Sequence, residues 1–551
     1  MVNAQNIDIG NIGKGKAFKI SGGVSANGVF YNSNQDVGRE PFTHFLQGDL
    51  NINFYQFSMP MSYNYSNQGG QLQYDLPFKF NRLSLHPKYK WIQAHVGDVA
   101  MSFSPYTLDN HQFTGGGVEL TPKGSFKISA MAGELLRATE DDGDELTQPA
   151  FSRFGYGAQL GYEEETYQVS IIGFYAKDDI NSISAVPDDK EVTPQENIAL
   201  SIGGSVQINE LKIQAEYAST ALTKDLRSAA TEQQGSGLAS LFLSNRGSTE
   251  YFTAAKVGFD YRLGESGIGV GYERIDPGYE TLGAYFFNND FENITVNSST
   301  ALFQEKLKLS LNIGLQRDDL NSQKEQTTNR TVGTINVTCN ASEKLTITAM
   351  YSNFNTFTNA RVNQFDDIND DNLLDNAEEQ FDYKQLSQDA NVGINYILTQ
   401  KEHRRESLTV NYSLADVVNE QGGLTRIGDA STFHNANTSY MLDFPKRGTN
   451  ITIALNGTIN TIGREDVTTW GPTLNYNKKF FENKLDTNFG ASYNTSSDQS
   501  DRTSVTNFKA NATYIYNEKH NFKLDAIQLF SRLSSGSNQD LTLTFGYSYS
   551  F

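Results

Sequence analysis

Leu541-Thr542-Leu543-Thr544-Phe545-Gly546-Tyr547-Ser548-Tyr549-Ser550-Phe551 is the stretch that decides the fold. Leu541, Leu543, Phe545, Tyr547, Tyr549 and Phe551 share one face of an extended strand. Thr542, Thr544, Gly546, Ser548 and Ser550 share the other. Strand side chains alternate with period two, so one face is wholly apolar or aromatic and the other wholly small and polar. In water, an aromatic edge of this kind invites aggregation. Set between lipid and a wet lumen, both faces are satisfied, which is the pattern of a transmembrane barrel wall.

The alternation recurs along the chain. Leu307, Leu309, Leu311, Ile313 and Leu315 oppose Lys308, Ser310, Asn312, Gly314 and Gln316. Leu485, Thr487, Phe489, Ala491 and Tyr493 oppose Asp486, Asn488, Gly490, Ser492 and Asn494. Ile451, Ile453, Leu455 and Ile459 oppose Thr452, Asn456, Thr458 and Asn460. Leu211, Ile213, Ala215 and Tyr217 oppose Lys212, Gln214 and Glu216. These runs last roughly 11–15 residues, longer than the 5–6 of an average soluble strand and long enough to cross a bilayer at a tilt.

Composition agrees. The mean hydropathy is −0.50, and no window approaches the roughly 20 apolar residues of a spanning helix. A membrane chain without such helices must close into a barrel, because lipid satisfies no open sheet edge. The 35 Phe and 28 Tyr suit interfacial girdles. Pro, at 12 of 551 residues, is scarce because it breaks a strand ladder. Cys339 is the only cysteine, so no intrachain disulfide forms. The net charge of −20 excludes a nucleic-acid partner, which calls for basic patches.

Turn signals fall at Pro122-Lys123-Gly124, Glu163-Glu164, Asn209-Glu210, Gly264-Glu265-Ser266-Gly267, Ser342-Glu343, Pro445-Lys446-Arg447-Gly448, Glu482-Asn483 and Asn517-Glu518. Long polar loops separate them, near 138–151, 179–195, 223–249, 358–383 and 420–429. Short turns at one end and long loops at the other are the outer-membrane rule. The expected fold is all-β: a single transmembrane antiparallel up-and-down β-barrel of roughly 22–26 strands, with short periplasmic turns and long extracellular loops. It is expected to span 16–551, after a signal-peptide remnant and short periplasmic leader at 1–15. Val2 and Ala4 stand at −3 and −1 relative to Gln5, which resembles the tail of a signal-peptidase site and implies export.

Several stretches carry a resemblance. A terminal Phe551 after Phe545, Tyr547 and Tyr549 resembles the C-terminal assembly signal of bacterial outer-membrane barrels. NFYQFSMPMSYNYSNQ (53–68), PKYKWIQAHVGDVAMSFSPYTLDNHQFTGGGVEL (87–120), AKDDINSI (176–183), VTPQENIAL (192–200) and RIDPGYETLGAYFFNNDFENIT (274–295) are similar to a family of large, poorly characterised outer-membrane β-barrel proteins of Bacteroidota-type bacteria. The resemblance implies a barrel in the outer membrane and implies no substrate. Nothing resembles the plug domain of TonB-dependent receptors.

One loop carries metal-ligand spacing. Asp367, Asn369, Asp371, Asp375 and Glu378 place oxygen donors at positions 1, 3, 5, 9 and 12 of a twelve-residue segment, and Leu373 offers its carbonyl at position 7. This is similar to the calcium loop of EF-hands, with Asn372 where that pattern has Gly. The expected cofactor is a structural Ca²⁺ pinning an extracellular loop. Glu140-Asp141-Asp142-Gly143-Asp144-Glu145 lacks ligand spacing and reads as a solvated loop. Gly155-Tyr156-Gly157 and Gly267-Ile268-Gly269-Val270-Gly271 lie in alternating strands with no following helix, so they relieve crowding inside the barrel and hold no dinucleotide. The seven His show no metal-pair spacing, and no nucleophile elbow occurs, so no catalytic residues are assigned and no enzyme is expected. The apolar run Gly237-Leu238-Ala239-Ser240-Leu241-Phe242-Leu243 has three readings: an inward constriction, a partner contact or a short surface helix.

Function is expected to be a transport pore or channel with a polar lumen. The alternative is a barrel subunit of a larger outer-membrane complex for protein assembly, secretion or surface-lipoprotein display. Expected partners are outer-membrane lipid and lipopolysaccharide, the barrel-assembly machinery during insertion, and other outer-membrane proteins or lipoproteins.

Overall fold

The computed structural model describes residues 18–35, 41–66, 82–141, 149–184, 192–231, 237–285, 288–322, 329–353, 384–421, 424–425, 431–462, 465–498, 502–533 and 536–551. They form one antiparallel sheet whose first strand, Phe18–Ser33, pairs with its last, Gly536–Ser550. The register runs from Gly23 opposite Ser550 to Ser33 opposite Asp540. Gly22 and Phe551 exchange backbone hydrogen bonds of 3.1 and 3.0 Å at the seam. Every other strand pairs with its sequence neighbours, so the wall is an up-and-down barrel. Arg82–Leu85 and Lys88–Tyr89 are two pieces of one stave bent at His86-Pro87, and Leu424–Thr425 is a small extension, which leaves 26 staves. At about 4.8 Å between strands and a tilt of about 40°, such a ring is about 50 Å across.

All eight expected turns connect adjacent strands at one end of the barrel. Further turns at Phe54–Phe57, Tyr89–Ile92, Leu302–Leu307 and Lys401–Arg404 complete that end. Several of these turns use left-handed backbone, which Asn209, Asn483 and Asn517 supply readily; Tyr55, Phe303 and Phe481 adopt it too. The long connections all leave from the other end. Helix among the described residues is confined to short 3₁₀ turns at Leu238–Leu241 and Pro445–Arg447.

Register fixes what faces where. Phe545 stands opposite Leu524 on one side and Gly28 on the other, and Leu543 opposite Ala526 and Phe30. The outward row continues through Leu315, Ile294, Ile171 and Ile453, which are 68, 54, 56 and 54% exposed. Apolar exposure of this extent around a whole ring far exceeds the patch of a few hundred Å² on a soluble monomer. At about 1.5–3 kcal/mol for each large apolar side chain transferred, it suits lipid and not water. Cys339, paired with Leu307 and Ile347, lies on the same outer face.

The inner face is polar over most of the ring. Asn411, Asn437 and Asn456 are directly cross-paired on three successive strands, as are Asn477, Asn488 and Asn511 on three others. Asn456 donates to Thr473 at 3.1 Å and Asn477 to Asp486 at 2.6 Å.

Candidate luminal site

One sector of the lumen departs from this polar lining. At the loop ends of successive strands, the inward positions Val99, Met101, Phe113, Met131, Leu135, Phe174 and Leu222 are apolar and buried. They are covered from inside by two inserted loops. The first, 102–110, joins Ile92–Met101 to His111–Leu120; the second, 276–290, joins Ser266–Ile275 to Phe291–Leu302. Leu108 forms a parallel bridge with Gly283, and the Asp109 N–H donates to the Gly283 carbonyl at 2.9 Å. The Tyr279 hydroxyl donates to the Tyr106 carbonyl at 2.7 Å and the Thr281 hydroxyl to the Thr107 carbonyl at 2.6 Å. Tyr106 and Tyr279 are 2 and 0% exposed, as in the core of a soluble domain.

The wall holds these loops through buried polar groups. Asn197 donates its amide to Thr220 Oγ1 at 2.7 Å and the Ala221 carbonyl at 3.0 Å, and accepts from the Leu282 N–H at 3.1 Å. Thr220 Oγ1 also donates to the Glu280 carbonyl at 3.0 Å. Each bond satisfies a group that burial would otherwise leave unpaired. Tyr106 donates to Glu273 at 2.5 Å, and Ser104 to Glu216. Burial first, and then the Glu273 carboxylate, hold the Tyr106 phenol far above the ordinary tyrosine range, so it stays a donor.

Inward glycines make room for this core. A Cβ at Gly155 would lie 2.7 Å from the Leu135 side chain, and one at Gly157 would lie 3.0 Å from the Phe103 ring. The second glycine run is also inward: a Cβ on Gly269 or Gly271 would meet Asn297 or Thr295 on the next strand.

Towards the turn end, the first inserted loop and the wall line a half-open cavity of about 550 Å³. Its charged lining is Lys127, Glu163, Glu216, Lys256 and Glu273; Gln159, Gln168 and Gln214 add amides, and Ser104 and Tyr106 face it from the loop.

Other expected sites fare differently. Phe545, Tyr547, Tyr549 and Phe551 cluster on the outer face at the seam. His520 accepts or donates at 2.8 Å to the Tyr547 hydroxyl, and Tyr549 stacks on Phe551 with ring centres 5.6 Å apart. Asp367, Asn369, Asp371, Leu373, Asp375 and Glu378 lie outside the described residues, as does the leader at 1–15 and the segment 142–148 of the acidic loop. Glu140 accepts from the Ser184 N–H at 2.9 Å.

The inward constriction read for 237–243 is corrected. Ser219 and Ala221 face outward, in register with Leu200 and Ile198, and Leu238–Leu241 lies over them on the outer wall. Ala239 N–H reaches Ser219 Oγ at 3.4 Å, and Gly237 crosses Ser219 at φ 85°, a conformation open to glycine. The surface-helix reading matches this placement. Local strand pairing also brings two histidines together: His86 Nδ1 is 2.8 Å from His95 Nδ1, and His95 Nε2 is 3.3 Å from Glu119. No group of three potential ligands able to hold a metal is present among the described residues.

No family model and no curated protein matches the chain. Among solved structures, it is similar to the P pilus usher (PapC) translocation pore, with 9% identity over 96% of this chain and 99% of that one and a TM-score of 0.41. It is similar to the ferric enterobactin receptor PfeA, with 9% identity over 97% and 81% and a TM-score of 0.41. Pseudomonas aeruginosa OccD3 (OpdP) matches at 7% identity over 97% and 91%, with a TM-score of 0.29. Likenesses this remote carry no argument about function.

Proposed function

We propose that this protein is an integral outer-membrane transport barrel, a pore whose polar lumen is narrowed from one side by its own inserted loops. The observation that carries the reading is the closed wall of 26 staves, apolar outside and lined with Asn, Thr and Ser inside. A polar, hydrated inner wall is what solute passage requires. The inserted core shields one sector of a ring too wide to stand open, as barrels of this size are generally plugged. Turns on the periplasmic side and loops outside follow the usual insertion of such barrels. The test is swelling of liposomes carrying the purified chain in an isotonic solution of a small sugar: permeation supports the pore, and swelling no faster than protein-free liposomes sinks it.

A second reading is favoured by one observation. Leu238, Leu241 and Phe242 on the outer wall are 49, 74 and 67% exposed, above a buried Ala239 that anchors them. Such a patch suits a neighbouring membrane protein or lipoprotein in a larger complex. Isolation in mild detergent from the native membrane separates the readings, since a stoichiometric partner lost on Leu241→Asp, Phe242→Asp substitution marks a complex subunit.

A further inference from the structure

The cavity beside the first inserted loop holds an unusual row of charges. Glu216, Lys256 and Glu273 are in direct cross-strand register on three adjacent strands, all facing the lumen. Neighbours of opposite charge in this arrangement ordinarily pair. Here the carboxylates are drawn away. Glu216 Oε1 accepts from Ser104 and, at 2.6 Å, from Ser201, and Glu273 Oε1 accepts from Tyr106. Among the described residues, Lys256 makes no ion pair or hydrogen bond, and the second oxygen of each carboxylate is unengaged. Among the described residues, the Gln159, Gln168 and Gln214 amides on the same wall also have no hydrogen-bond partner.

We propose that this cavity binds a small zwitterion of the amino-acid or dipeptide class, with Lys256 taking the carboxylate and the unengaged oxygen of Glu216 or Glu273 taking the ammonium. The proposal deepens the pore reading and rests on it as the route by which the solute reaches the lumen. Geometry supports the size. Adjacent strands lie about 4.8 Å apart, and a two-residue chain spans at most about 7 Å, so one end meets Lys256 while the other meets a flanking carboxylate. The cavity of about 550 Å³ falls within the range of small-molecule sites. Charge supports the class: a bare anion would face Glu216 and Glu273 on both sides of Lys256, and a bare cation would face Lys256 itself. The glutamine amides match a peptide group, which offers one donor and one acceptor.

The test is calorimetric titration of the folded barrel in detergent with alanyl-alanine, its N-acetyl derivative and its C-terminal amide. Alanyl-alanine is expected to saturate, and each cap to weaken binding at least about tenfold, the scale of losing a charge-assisted bond. Lys256→Gln should abolish the preference over the amide, and Lys256→Arg should retain it. Lys256 is exposed to the lumen, so neither change threatens folding. Absence of saturable heat, equal affinity for the capped forms, or an unaltered preference in Lys256→Gln would overturn the site. Conductance of the same preparation keeps the two readings apart: a conducting barrel without binding removes the site alone, and a silent barrel that binds removes the pore alone.

Discussion

Leu455 and Asn456 are adjacent at the middle of the strand Thr449–Ile462, and the assigned register sends them to opposite faces. Leu455 pairs with Thr438 on one side and Pro472 on the other and is 54% exposed on the outer wall. Asn456 faces the lumen, where it bonds Asn437 and Thr473. Arginine at the bilayer midplane on a barrel's lipid face costs about 2–4 kcal/mol. Leu455→Arg should therefore shift the folding equilibrium by roughly thirty-fold to several-hundred-fold, at a factor of ten for every 1.4 kcal/mol. Asn456→Arg puts the same group into water and forfeits two neutral side-chain bonds beside the wet lumen, about 0.5 kcal/mol each at the low end of the usual range and so about 1 kcal/mol together. Reversible denaturant titrations in lipid vesicles, followed by tryptophan fluorescence, measure both. A difference of at least about 1 kcal/mol between the two sites is expected. Equal costs, or a larger cost at Asn456, would refute the assignment of faces and with it the lipid belt.

Asn197→Ala should strand the Leu282 N–H at a cost of about 1–3 kcal/mol, seen as new protease cleavage within 276–285 while the barrel stays heat-modifiable. Gly157→Leu should displace the Phe103 ring and destabilise the inserted core by about 1–3 kcal/mol; Gly267→Leu, where a Cβ meets nothing nearer than 3.6 Å, should be silent in the same melting assay. Deleting Phe551 removes the paired bonds to Gly22 and should lower the yield of heat-modifiable barrel in membranes. If Asp367, Asn369, Asp371, Asp375 and Glu378 hold calcium, a chelator should raise cleavage of the 358–383 loop, and unchanged cleavage would end that proposal.

The wall was legible because each strand repeats a local rule. Leu307 to Leu315 and their polar partners stand on the faces that alternation assigns, and the eight turns sit where Gly, Asn, Pro and paired charges cluster. The inserted core was not legible, because its bonds span distant sequence: Tyr279 reaches Tyr106 across 173 residues. Both loops, PYTLD at 105–109 and PGYETLG at 277–283, carry no periodicity that marks them for insertion. A signal was present in the strands. Val99, Met101, Phe113, Met131, Ile172 and Phe174 put apolar groups on the face that is polar elsewhere, and a strand apolar on both faces at its loop end needs a cover on both. The placement of 237–243 on the outer wall likewise depends on which face Ser219 presents, which alternation gives only once the lumen side is known.

Recording of single channels from the purified chain in a planar lipid bilayer tests the central claim most directly. The account predicts stepwise ionic conductance from individual insertions. Bilayers that stay silent while heat-modifiability proves the inserted barrel folded would contradict it.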